Sequence, residues 1–130
     1  MLFAALLACE DDEPVDTGPP PFSVIGSDPE AGEVASSVVA PVQLILSADP
    51  DMDHCTLDTI RIDALRVDGA VAFPVLVALD LQGEGNLKVQ PDEPYFRGYT
   101  YAVTVRGGDD GCIDVSRRPI LPFYSTFEVP

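Results

Sequence analysis

The sequence predicts an all-β fold, an antiparallel β-sandwich of about seven short strands behind an apolar leader and an acidic, proline-rich tether. Three observations carry that prediction. From Phe22 onward apolar residues recur with period two or in short runs, and no helical stripe lasts a helix length. Clusters of turn residues interrupt these runs every 8–15 residues. Thirteen Pro and ten Gly in 130 residues disfavour a helical bundle. A chain this long holds one domain plus a tail, and a hydrophobic content of 46% excludes wholesale disorder.

The strands follow in order. A short one is expected near Phe22–Ile25. Val42, Leu44 and Leu46 alternate with Gln43 and Ser47, although Ile45 makes both faces apolar. Ile60 and Ile62 alternate with Arg61 and Asp63; Asp58–Val67 has the best helical chance in the chain, but its β-branched residues and alternation favour a strand. Val71–Leu81 reads as one apolar run interrupted by Pro74. Leu87 and Val89 alternate with Lys88 and Gln90, and Tyr99, Tyr101, Val103 and Val105 share one face. Phe123, Phe127 and Val129 lie opposite Tyr124, Thr126 and Glu128. Between the strands, Asp28–Gly32, Gly83–Asn86 and Gly107–Gly111 supply residues that tolerate positive φ or fix a bend. Seven short strands in this length predict a sandwich, with a small barrel as the alternative.

Charge removes some partners. Asp and Glu number 22 against 7 Lys and Arg, a formal net charge of −15. Nucleic-acid backbones and anionic membrane surfaces are held by Lys and Arg, so neither is expected to bind the chain through a basic patch. Catalysis is not expected either. The chain has one His, no Gly-x-Ser-x-Gly and no phosphate-binding glycine loop.

Leu2–Ala8 is uninterrupted and apolar, far short of the ~20 residues that span a bilayer and close to the apolar region of a secretion signal. It stops at Cys9, and Glu10-Asp11-Asp12-Glu13 begins at once. Leu6-Leu7-Ala8-Cys9 resembles the lipobox of bacterial lipoproteins. The resemblance implies that residues 1–8 are removed and that the Cys9 thiol carries the lipid that anchors the chain. It departs from the pattern in one respect, since no Lys or Arg precedes the apolar run. Residues 9–21 then read as a stiff, solvated spacer, with five acids and four prolines. Residues 22–130 form the domain, with a net charge near −10.

Within that domain, Val24–Val129 resembles a bacterial Ig-like domain of the S-layer-protein type. The motifs that carry the resemblance are Ser27-Asp28-Pro29-Glu30-Ala31-Gly32-Glu33-Val34, the strand Val42–Ser47 running into an acidic loop and Leu57, Gly98-Tyr99-Thr100-Tyr101-Ala102-Val103-Thr104-Val105, and the Phe-rich end Phe123–Val129. The family's Asp-x-x-Gly-Asn loop is kept only in part, as Asp109-Asp110-Gly111. The resemblance implies an Ig-like sandwich working outside the cytoplasm. Tyr101 is either a tyrosine corner, its hydroxyl bonded to backbone upstream, or a plain core residue.

Cys55 and Cys112 remain after Cys9. An exported chain meets an oxidising compartment, where two thiols pair, and counting strands up and down puts both loops at one end. Separate thiols, or pairing with Cys9, are the alternatives. The same loops hold Asp49, Asp51, Asp53, Asp58, Asp109, Asp110 and Asp114. Of these, Asp49, Asp51, Asp53, Asp109 and Asp110 either bind Ca²⁺ loosely between loops or are simply solvated. An EF-hand is rejected, because His54 and Ile60 stand where Gly and Glu are needed. His54 and Cys55 are too few for zinc.

The expected function is therefore a lipid-anchored, non-enzymatic module of the bacterial cell envelope, structural or adhesive, facing an envelope protein or polysaccharide. It would sit on the outer membrane, at its periplasmic face or on the cell surface, or on the inner membrane. Two alternatives stand beside it. One is a carbohydrate or small-ligand binder using the Cys55/Cys112 loop end, with or without Ca²⁺. The other is an accessory or inhibitor docking through the edge of the Phe123–Val129 strand by β-augmentation.

Overall fold

The computed structural model describes residues 20–130. The leader, Cys9 and most of the tether lie outside the described residues. Eight strands are present among them: β1 (Val24–Asp28), β2 (Val42–Leu46), β3 (Ile60–Leu65), β4 (Val71–Val75), β5 (Val77–Gly83), β6 (Asn86–Pro91), β7 (Thr100–Val105) and β8 (Phe123–Glu128). They form two four-stranded sheets, ordered β1-β2-β6-β5 and β4-β3-β7-β8, and every neighbouring pair is antiparallel. Lettered along the chain as A, B, C, C′, D, E, F and G, the sheets are ABED and C′CFG, the constant-type immunoglobulin order with one strand added. This closes as a sandwich and not as a barrel.

The extra strand comes from Val71–Leu81, which the sequence presents as one run. The chain leaves the second sheet after Val75 and joins the first at Val77, so Leu76 is a corner between sheets. The Asp92 N–H donates to the Leu76 carbonyl at 2.9 Å and pins that corner. Pro74 is tolerated because β4 is an edge strand, where one missing N–H breaks no central ladder.

The core is the inward half of each alternation. Val42, Leu44 and Leu46 of β2 and Leu87 and Val89 of β6 meet Ile60 and Ile62 of β3, Tyr101, Val103 and Val105 of β7, and Phe127 of β8; all are buried. Phe22 is buried ahead of β1 as part of the same core. Ile45, apolar on the outward face, stays exposed. The turn from β5 to β6 needs glycine at Gly85. Its φ is +78°, and an added Cβ would collide with the Leu46 carbonyl oxygen.

Tyr101 does both of the things considered for it. Its ring is buried and stacks on Phe127 at 5.8 Å. Its hydroxyl donates to the Phe96 carbonyl at 3.0 Å and accepts from the Phe96 N–H at 2.8 Å. This is the geometry of a tyrosine corner. Tyr101→Phe keeps the packing and leaves both Phe96 backbone groups without that partner. A loss of about 1–2 kcal/mol is expected in denaturant unfolding, with the slope unchanged.

The outer edge of β8 is mostly covered. The Gly32 N–H donates to Thr126 O, Ala35 N–H to Glu128 O, and Glu128 N–H to Glu33 O. The docking strip expected along Phe123–Val129 is therefore closed by the chain's own Gly32–Ala35 segment, which already supplies the added strand's hydrogen bonds.

Candidate functional sites at the two ends of the sandwich

Three connections converge at one end: 47–59, the β5–β6 turn and 106–122. Cys55 and Cys112 are joined there by a disulfide with Cα atoms 4.3 Å apart, the pairing expected from the sequence. Backbone bonds stitch the same loops together, from Asp51 N to Ile113 O at 2.9 Å and from Val115 N to Asp49 O at 3.0 Å. Gly111 admits no side chain, since a Cβ would run into the Arg106 carbonyl oxygen. The end is thus held closed by covalent and hydrogen-bonded links.

Asp114 is its electrostatic centre, with 1% of its surface exposed. One carboxylate oxygen accepts from the Ser116 N–H at 2.9 Å and the Arg118 N–H at 2.8 Å; the other accepts from Arg118 Nε at 2.8 Å. Burial alone would raise its pKa. The Arg118 N–H and guanidinium and the Ser116 N–H outweigh that and hold the carboxyl below the usual range. In the sequence Asp114 is one more acid of the loop, with nothing in its composition to set it apart. The spacing Asp114-x-Ser116-x-Arg118 was the available signal.

The acids proposed for Ca²⁺ are not brought together as a metal site. Among the described residues no three His, Cys, Asp or Glu are grouped to hold an ion. Asp49 accepts from the Gly85 N–H at 2.9 Å, and Asp51 accepts from the Asp53 N–H at 3.0 Å and contacts His54 Nδ1 at 3.2 Å. Asp53, Asp109 and Asp110 line a shallow depression of about 380 Å³ whose wall includes Arg106, so a cation there would face a guanidinium. These carboxylates hold turns and carry solvated charge. The expected result is a thermal midpoint that neither Ca²⁺ nor EDTA moves; a rise of several degrees with Ca²⁺ would restore the metal site.

The tether joins the domain at this closed end. Arg118 Nη1 donates to the Pro20 carbonyl at 2.7 Å, the Leu121 N–H to Phe22 O at 2.9 Å, and Ser47 Oγ to Pro21 O at 3.3 Å.

The opposite end carries a feature the sequence reading did not single out. β1 begins and β2 ends beside the tether, with Val24 opposite Leu46, so the β1–β2 connection lies at the far end. The segment between β6 and β7 docks on that connection: the Tyr95 N–H donates to Val38 O at 2.7 Å and the Tyr95 hydroxyl to Ala40 O at 3.0 Å. Burial and the neighbouring Tyr101 push the Tyr95 hydroxyl pKa up, so it stays a neutral donor. Phe96, next along, turns out and is 63% exposed. Between this segment and the β4–β5 corner runs a groove of about 210 Å³, lined by Phe73, Leu76, Asp92, Glu93, Pro94 and Phe96 among others. Phe73 packs edge-on against Phe96 at 5.8 Å and Tyr99 at 5.3 Å. The groove continues past Leu76 along the side of the sandwich toward Leu57.

No protein-family description and no curated protein matches this sequence. Solved structures do share its fold. The N-terminal part of the bacterial S-layer protein SbsC aligns with a TM-score of 0.59 at 13% identity, over 83% of this chain and 23% of that one. PcoC, a copper resistance protein from Escherichia coli, aligns at 0.64 and 18%, over 82% of this chain and 98% of that one. CopC from Methylosinus trichosporium OB3b aligns at 0.57 and 14%, over 83% and 92%. The chain thus spans about a quarter of the S-layer chain it matches and nearly all of the two smaller ones. At these identities the likeness is one of fold, and an S-layer protein is among those that share it.

Proposed function

We propose that this chain is a non-enzymatic, lipid-anchored module of the bacterial envelope. In this reading a sandwich is held off a membrane from Cys9 and presents its far end to an envelope protein or polysaccharide. The observation that carries the reading is where the tether enters. Pro20 lies eleven positions after Cys9, a reach of at most about 40 Å. Pro20–Phe22 are seated on the disulfide end. A chain anchored at Cys9 would be tied to the membrane through its sealed end, with its aromatic end the farther from the point of attachment. The S-layer and PcoC likenesses support a small sandwich of this kind but name no role for it.

The same placement argues against a ligand site at the Cys55/Cys112 end, which is the end occupied by the tether's attachment. Copper does not transfer from PcoC, a copper resistance protein, to this chain. Copper takes imidazole and soft sulfur ligands; among the described residues the one His contacts Asp51, Cys55 and Cys112 are bonded to each other, and Met52 packs against the core. The donor set does not fit.

The test is the full chain and Cys9→Ser expressed in a bacterial host and fractionated. The wild-type chain is expected in the membrane pellet and Cys9→Ser in the soluble fraction. Equal partitioning of the two would remove the anchor from the proposal.

A further inference from the structure

The groove at the far end has an apolar floor and an acidic rim. Phe96 and Leu76, the latter 74% exposed, stand at its mouth over Phe73. Asp92 and Glu93 are exposed beside them, and neither carboxylate meets a cation among the described residues. The nearby cations are engaged elsewhere. Arg61, at the groove's far stretch, binds Asp63 at 2.9 Å, and Arg97 donates to the Pro130 carbonyl at 3.0 Å. Exposed aromatics clustered in a concavity mark an interaction site more often than single exposed residues do.

Charge selects the occupant. The chain's own tether carries five acids and would meet Asp92 and Glu93 as like charges. A second copy brings −15 of its own. Both are disfavoured, whereas a segment bearing cations and apolar side chains gains the carboxylates at the rim and the apolar floor. Backbone pairing along β4 is limited, because Pro74 offers no N–H. Recognition must then run through side chains.

We propose that the groove between the β4–β5 corner and Asp92–Phe96 binds an extended segment of another protein in which cationic and apolar side chains alternate. The apolar side chains would lie on Phe73, Leu76 and Phe96, and the cations on Asp92 and Glu93. This deepens the envelope-module reading by naming the face and the partner's chemistry. It does not depend on lipid at Cys9, so either can fail without the other.

The test is amide NMR of the ¹⁵N-labelled full chain with a seven-residue peptide alternating Lys and Val, and with its Glu-Val counterpart. Saturable shifts are expected at 73–76 and 92–96 with the Lys-Val peptide only. Phe96→Ala should weaken binding at least about tenfold. Asp92→Asn with Glu93→Gln should weaken it about fivefold and flatten its salt dependence. Shifts confined to the acidic tether or to 53–58 and 109–110 would overturn the proposal. So would equal binding of the Glu-Val peptide, or no shift with about 1 mM peptide.

Discussion

Replacing Cys55 and Cys112 together by alanine is expected to lower stability by about 4 kcal/mol and the thermal midpoint by roughly 15 °C or more. The bridge joins residues 57 apart, so its loss frees a long loop in the unfolded chain. Both cysteines are buried, and alanine leaves a small gap but no unpaired polar group. Serine would add two hydroxyls with no evident partner and cost more. The sheet ladders do not include either cysteine, so far-UV circular dichroism of the folded variant should be unchanged. Calorimetry of the two proteins is the check. A drop below about 1 kcal/mol would mean that the loop end is held by its hydrogen bonds and not by the bridge.

The second large effect belongs to Asp114. Asp114→Ala removes acceptors for three N–H groups and leaves the Arg118 guanidinium without its carboxylate. Breaking a buried pair in this way costs about 3–5 kcal/mol. Arg118 keeps 35% of its side chain in solvent and still reaches Pro20, so the lower end of that range is expected. Because the folded carboxyl titrates below its unfolded value, its contribution is fully present above the ordinary carboxylate pKa. It is lost as pH falls through the lowered, folded value. Asp114→Asn removes that dependence while keeping the shape. Denaturant unfolding at pH 7, 5 and 3 should show the difference between wild type and Asp114→Asn narrowing as pH falls. A constant difference would contradict the lowered pKa.

Much of this arrangement was legible because alternation is set by which side of a strand faces the core. Val42/Leu44/Leu46, Leu87/Val89 and Tyr101/Val103/Val105 each declare a buried face. Strand parity places Cys55 and Cys112 at one end when Val71–Leu81 counts as one strand, and it holds because β4 and β5 run in the same direction. Other features depend on pairings that no local pattern contains. Val71–Leu79 is apolar throughout, so nothing in it marks Leu76 as the corner; the break comes from pairing with β3 on one side and β6 on the other. Tyr95 and Phe96 are adjacent aromatics in one loop, yet one is buried on Ala40 and the other exposed. Asp114 looks like Asp109 and Asp110 in sequence, and only the folded loop wraps donors around it. The free edge expected at β8 was lost to Gly32–Ala35, a segment with no strand pattern of its own.

The intact mass of the full chain recovered from bacterial membranes under non-reducing conditions tests the central claim most directly. A mass equal to residues 9–130 plus acyl chains, less two hydrogens, is the predicted result, because it reads the anchor at Cys9 and the Cys55–Cys112 bridge together. An unacylated mass that retains residues 1–8 would contradict the account, and the sandwich would then have no membrane to face away from.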